Sequence, residues 1–157
     1  MIDIRRLQAS DDIGALVALS RAFFAEYEAH HQEFFRIDTL NDEDVGGYFS
    51  TFVDQDDRAA FIAVRDGEIV GYISVYVQEQ PPYWSVKRVG HISGLMVRQD
   101  VRREGIGTRL VERARDFFRE QGVKYCTVYT AVANAQALAF YRNQGLEPLY
   151  SHLLGLA

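Results

Sequence analysis

A strand that runs into a basic, glycine-bearing turn and then a helix constrains this chain more than any other stretch. Residues 89–122 read VGHISGLMVRQDVRREGIGTRLVERARDFFREQG. The apolar run 89–97 predicts a β-strand, residues 98–104 a short basic loop, and residues 105–121 an amphipathic helix. In that helix Ile106, Leu110, Val111, Ala114, Phe117 and Phe118 recur on one face, leaving Arg109, Glu112, Arg113, Asp116 and Arg119 for water. Gly122 stands where a C-terminal glycine would end it. The first backbone N–H groups of a helix have no internal partner, and the helix dipole adds partial positive charge there. Arg102, Arg103, Gly105 and Gly107 cluster at that point. Glycines let a ligand reach the backbone without meeting a Cβ, and guanidinium groups suit phosphate oxygens. The stretch is therefore expected to cradle an anion of the pyrophosphate kind.

Two common phosphate-binding patterns do not fit. The Gly-x-x-x-x-Gly-Lys-Ser/Thr loop is absent, and Leu110 stands where the dinucleotide fingerprint needs a third glycine or alanine. The spacing is Arg-x-x-Gly-x-Gly, Arg102 to Gly107, after Leu95-Met96-Val97. The run LMVRQDVRREGIGTRLV resembles the central motif of the GNAT superfamily of N-acetyltransferases, which binds the pyrophosphate of coenzyme A. A second run, NAQALAFYRNQGL from Asn134 to Leu146, is similar to that family's following motif, Asn-x-x-Ala-x-x-Phe-Tyr-x-x-x-Gly-Phe. A strand-like VKYCTVYT lies between the two. Departures are modest: Gln99 replaces a common proline, and Leu146 the usual phenylalanine.

The remainder of the chain agrees with such a fold. Residues 2–7 read as a strand, and Ser10 with Asp11 and Asp12 as a helix start. Ile13, Leu16, Val17, Ser20, Phe23, Phe24 and Tyr27 then recur at helical spacing. A second helix is expected from about Asn41 to Asp44 onward. Residues 60–64 and 69–77 are strands joined by the tight turn Arg65-Asp66-Gly67-Glu68. Residues 78–87, with Pro81-Pro82, form a loop. Residues 123–130 are a strand, 134–144 a helix, and 146–154 a final strand or pair. The element order is α+β around one mixed sheet. The resemblance implies the GNAT acyl-CoA N-acyltransferase fold: a mixed central β-sheet flanked by helices on both faces, in a single domain over residues 1–157.

A length of 157 residues suits one domain with a sizeable core. The net charge of −5 argues against general nucleic-acid binding, which usually shows a basic footprint. No apolar run is long enough to cross a bilayer and the first residues carry no signal core, so a cytoplasmic protein is expected. The single cysteine, Cys126, excludes an internal disulfide framework and reads as a small core residue.

Acyl transfer from a thioester needs an uncharged amine, donors for the developing oxyanion, and a proton for the departing thiolate. The resemblance implies acetyl-CoA (coenzyme A) as the donor. Backbone groups of Leu95, Met96 and Val97 would hold its pantetheine arm and acetyl carbonyl. Arg102, Arg103, Glu104, Gly105, Ile106, Gly107 and Thr108 would hold its pyrophosphate. Asn134, Ala137 and Tyr141 would line the arm, with Asn134 equally suited to cap a helix. Gly94 fits either a distorted strand or a close neighbour. Tyr141 occupies the position of the family's general acid. Counting back six residues from Val97, where relatives carry a glutamate base, gives His91. An imidazole suits a base at neutral pH, and strict alternation puts it on the face of Ser93, Leu95 and Val97. Glu79 is the alternative base.

Acceptor specificity in such a fold lies in the first helices and the loop before the central strand. These regions are rich in aromatic and acidic residues, among them Phe24, Tyr27, Glu28, Glu79 and Tyr83. Such faces suit a cationic amine, either a small molecule or a protein lysine, although many of these aromatics also read as core. His30-His31 with Glu26 or Glu33 lacks the spacing of a metal site, and no metal is expected. A non-catalytic coenzyme A sensor is the competing function class. The apolar C-terminus, LYSHLLGLA, suits a homodimer contact.

Overall fold

Two apolar strands joined by a two-residue turn form the middle of the molecule, which a computed structural model describes over residues 1–157. These are β2 (Arg58–Arg65) and β3 (Glu68–Glu79), paired antiparallel. Asp66 and Gly67 in the turn have φ of 51° and 79°, the paired left-handed backbone whose twist matches a two-residue hairpin. β1 (Ile2–Arg6) pairs with β2, and β4 (Arg88–Val97) with β3, both antiparallel. β5 (Cys126–Val128) pairs parallel with β4, so the sheet is mixed, in the order β1-β2-β3-β4-β5. The central residues of β2 and β3 are buried because helices cover both faces.

α1 (Ile13–Glu28) and α2 (Asp42–Ser50) lie on one face, packing Leu16, Val17, Phe49 and Val45 against Ile62, Tyr72 and Met96. α3 (Ile106–Glu120) and α4 (Ala135–Asn143) cover the other. All six apolar stripe residues of α3, Ile106 through Phe118, are buried there. This is the expected α+β arrangement. No helix is long and apolar enough to cross a membrane.

Three expectations change. α1 is capped by Asp12, whose carboxylate accepts from Gly14 N at 2.9 Å, rather than by Ser10. Asp11 is instead held by Arg5 at 2.6 Å and by Gln8 N at 2.7 Å, which removes it from the first turn. The strand expected at 123–130 is only three residues long, and residues 146–154 form none. Leu149, Tyr150, Leu153, Leu154 and Leu156 are exposed. β5 offers too short a ladder to hold a further strand, and Pro148 lacks the N–H to join one.

The third change matters most for the site. The β3–β4 register runs Ser74↔Gly94 and then Val75↔Ile92, leaving Ser93 as an extra residue on β4. Such a bulge inverts the alternation, because side chains change face with every residue. Leu95, Val97 and Ile92 all pack toward α3, whereas Met96 packs toward α1 and α2. His91 lies opposite Tyr76, which shares the α1/α2 side of β3 with Tyr72. The uninterrupted alternation that grouped His91 with Leu95 and Val97 is therefore corrected: they face opposite layers.

Candidate active site

α1, α2 and α4 each begin with a side-chain cap, from Asp12, Asn41 and Asn134. α3 does not. Its N-cap is Gly105, at φ 80° and ψ 8°, with no side-chain hydrogen bond, so the first-turn N–H groups stay available to a ligand. Arg103 just before it is also left-handed, at φ 67°, and exposed. Left-handed residues next to a helix start turn successive N–H groups toward one point, a geometry that receives anions. A Cβ at Gly105 would meet nothing within 4 Å, which fits a backbone left open to a ligand. Gly107 differs: a Cβ there would come 3.3 Å from the Phe140 ring, so this glycine serves the packing of α3 on α4. Arg102 is also engaged elsewhere. Its Nε donates to Val97 O at 2.8 Å and its Nη2 to Glu26 at 2.8 Å.

Behind the cradle the sheet forks. β4 and β5 pair only at Gly90↔Cys126, His91↔Thr127 and Ile92↔Val128. From Ser93 to Val97 the edge of β4 toward β5 has no neighbouring strand. The cleft that results has a volume of about 480 Å³. β4, the cradle, α4 and the segment after β5 form its walls, and Phe23, Glu26, Tyr27 and His30 of α1 and the turn after it close it on one side. Those four are spaced i, i+3, i+4 and i+7, one face of a helix.

The profile of the acetyltransferase (GNAT) family matches residues 16–146. The chain belongs to that family. An uncharacterized N-acetyltransferase of Archaeoglobus fulgidus is 32% identical over 106 residues, covering 66% of this chain and 69% of the relative. The tetramutant of the BH1408 protein from Bacillus halodurans superposes with a TM-score of 0.85 at 21% identity, covering 98% of this chain and 99% of that one. The aminoglycoside N-acetyltransferase AAC(6')-Iy in complex with CoA has a TM-score of 0.77 at 15% identity, covering 100% and 95%.

In this GNAT domain two titratable side chains reach the cleft from opposite layers of the sheet. Tyr141, on α4, is buried in the α3-side core and lines the cleft. Burial pushes its phenol well above the ordinary value near 10, and the neighbouring Tyr27, Cys126 and Tyr72 groups add to the shift. The phenol therefore keeps its proton throughout the physiological range. His91 is only 5% exposed, and its Nδ1 lies 2.8 Å from Thr127 Oγ1. Tyr76 and Tyr129 flank it, ring centroids at 5.1 and 5.0 Å. Burial pulls its pKa below 6.5, so the imidazole is neutral at pH 7.

Of the residues expected at the cofactor, all but Glu104 line the cleft; Glu104 is paired with Arg65 at 2.7 Å. Asn134 caps α4, its Oδ1 accepting from Ala137 N at 3.1 Å, and also faces the cleft. Gly94 has a close neighbour: a Cβ would lie 3.2 Å from Ser74 Oγ and 3.3 Å from the Tyr72 ring. The distortion of β4 sits beside it, at Ser93. Among the residues expected at the acceptor, only Tyr27 lines the cleft. Phe24 packs edge-on against Phe23, and Glu28 accepts from Ile37 N at 2.7 Å. Glu79 is exposed opposite Arg88, and Tyr83 is 77% exposed against Trp84. Reading the residues alone missed Thr127, Tyr76 and Tyr129 around the imidazole. Alternation on β3 could have found Tyr76; the others depend on pairings between distant segments.

Proposed function

We propose that this enzyme moves the acetyl group of acetyl-CoA to a primary amine, of a small cationic molecule or a lysine side chain, by direct attack with both substrates bound. Acetyl-CoA is the family's acyl donor and supplies an acetyl group activated as a thioester. The residues present fit it: an uncapped helix start receives the pyrophosphate, and the unpaired edge of Leu95, Met96 and Val97 receives the amide-bearing arm and the acetyl oxygen. One observation carries the reading. The Tyr141 phenol and the His91 imidazole open on one cleft whose end is that cradle.

Tyr141 donates its proton to the departing thiolate, whose ordinary pKa of about 8.5 makes it a fair leaving group and a better one when protonated. His91, directly or through water, takes the proton of an amine whose ordinary pKa is near 10.4. It suits this role better than Glu79, which lies outside the cleft. Aromatic faces of Tyr27, Phe23 and Tyr129 along the cleft favour a cationic acceptor. The aminoglycoside acetyltransferase of the same fold supports such an acceptor class. Thiol release from acetyl-CoA, followed across cationic, neutral and anionic amines and lysine peptides, tests the proposal. Turnover highest with cationic amines is expected. Tight acetyl-CoA binding without turnover on any of them would make the protein a sensor instead.

A further inference from the structure

We propose that Thr127 is a positioning residue that fixes which nitrogen of His91 carries the proton, leaving Nε2 free to accept one from the acceptor. The inference rests on the reading of His91 as the base and adds a residue to it. Thr127 sits directly across the β4–β5 ladder from His91, with its Oγ1 2.8 Å from Nδ1. The same hydroxyl approaches Gly90 O at 3.4 Å. A carbonyl oxygen can only accept, so with the threonine proton turned toward Gly90 the hydroxyl receives, and the imidazole donates from Nδ1. Nε2 has no protein partner, yet no enclosed side-chain nitrogen or oxygen lacks one. Nε2 is thus the nitrogen that opens on the cleft His91 lines.

The surroundings leave this hydroxyl as the group that decides. Tyr76 from β3 and Tyr129 after β5 face the ring as phenols, and Arg58 stacks over Tyr76 at 5.8 Å. No carboxylate is paired with the imidazole to hold Nδ1–H, the task a buried aspartate performs in other histidine bases. A hydroxyl that relays to a backbone carbonyl does it without placing a negative charge beside the ring. The imidazole is oriented and its basicity is not raised.

Nitrogen NMR of histidine-labelled protein tests this directly, with the His91 signals assigned by their loss in His91→Gln. Above the titration of the ring, Nδ1 is expected to be protonated and Nε2 bare; the opposite pattern, or an even mixture, overturns the proposal. Thr127→Val is expected to lose the single tautomer and to lower kcat roughly tenfold or more, with KM for acetyl-CoA unchanged. Thr127→Ser should restore both. A Thr127→Val protein that keeps the tautomer overturns the assignment, and should that variant fail to fold, the wild-type spectrum decides. If His91→Gln leaves the pH–rate profile intact, the base reading falls, while the NMR pattern still judges Thr127 by itself.

Discussion

The two ends of the cleft are built from different materials. At the cradle the groups offered are backbone N–H at the start of α3, and the nearby side chains are mostly engaged elsewhere: Arg102 with Val97 and Glu26, Glu104 with Arg65. At the imidazole the groups offered are side chains, His91 with Thr127, Tyr76 and Tyr129 drawn from three separate segments. A site made of backbone depends on where a helix starts and on residues that permit its turn. A side-chain site depends on which strands happen to be neighbours. The first tolerates side-chain replacement and is sensitive to backbone strain; the second does the reverse.

Replacing His91 gives the largest expected effect. His91→Gln should lower kcat by about 10²–10⁴-fold and leave the calorimetric affinity for acetyl-CoA unchanged. In the parent, activity should rise with pH through a limb below 6.5, since the imidazole must be neutral to act and burial lowers its pKa. That limb should vanish in the variant. Stability follows the same sign: the unfolded imidazole binds a proton more readily, so the folded state loses stability as pH falls below 6.5. An equal loss of cofactor affinity would erase the distinction between the two ends.

Next comes the layer beneath. A Cβ at Gly90 would lie 2.5 Å from the Phe118 ring, so Gly90→Ala should destabilise by about 1–3 kcal/mol through overpacking, read by urea unfolding. Gly105→Ala sets an alanine in the left-handed region and should cost roughly 1–2 kcal/mol. Thermal unfolding and calorimetry should show reduced stability together with weaker acetyl-CoA binding. Retained affinity would mean that the cradle does not need this turn. The smallest effect is expected at Glu26, half-exposed against Arg102. Glu26→Gln should change stability by about 0.2–1 kcal/mol, and a larger loss would mean that side chains matter at the cradle as much as at the imidazole.

The same contrast explains what the sequence made legible. The α3 stripe, the hairpin turn at Asp66-Gly67 and the Arg-x-x-Gly-x-Gly loop are local signals, each decided by residues within a turn or two of chain, and each appears where it was expected. The C-terminal strand did not form, because alternation at residues 146–154 does not supply a partner ladder. Phe24 and Glu28, expected at the acceptor, lie outside the cleft by the rotation of one helix: Phe23, Glu26, Tyr27 and His30 turn inward instead. The threonine beside His91 could not be read either, since Thr127 meets it only through a parallel pairing 36 residues away.

Ser93 carries a consequence for how this enzyme can vary. One surplus residue lets β4 send His91 to one side of the sheet and Leu95 and Val97 to the other. Deleting that single position would leave nearly the whole composition in place while turning half a strand inside out, with oily side chains where the reaction needs polar ones. A substitution here alters one side chain; an insertion or deletion reverses a whole run of them.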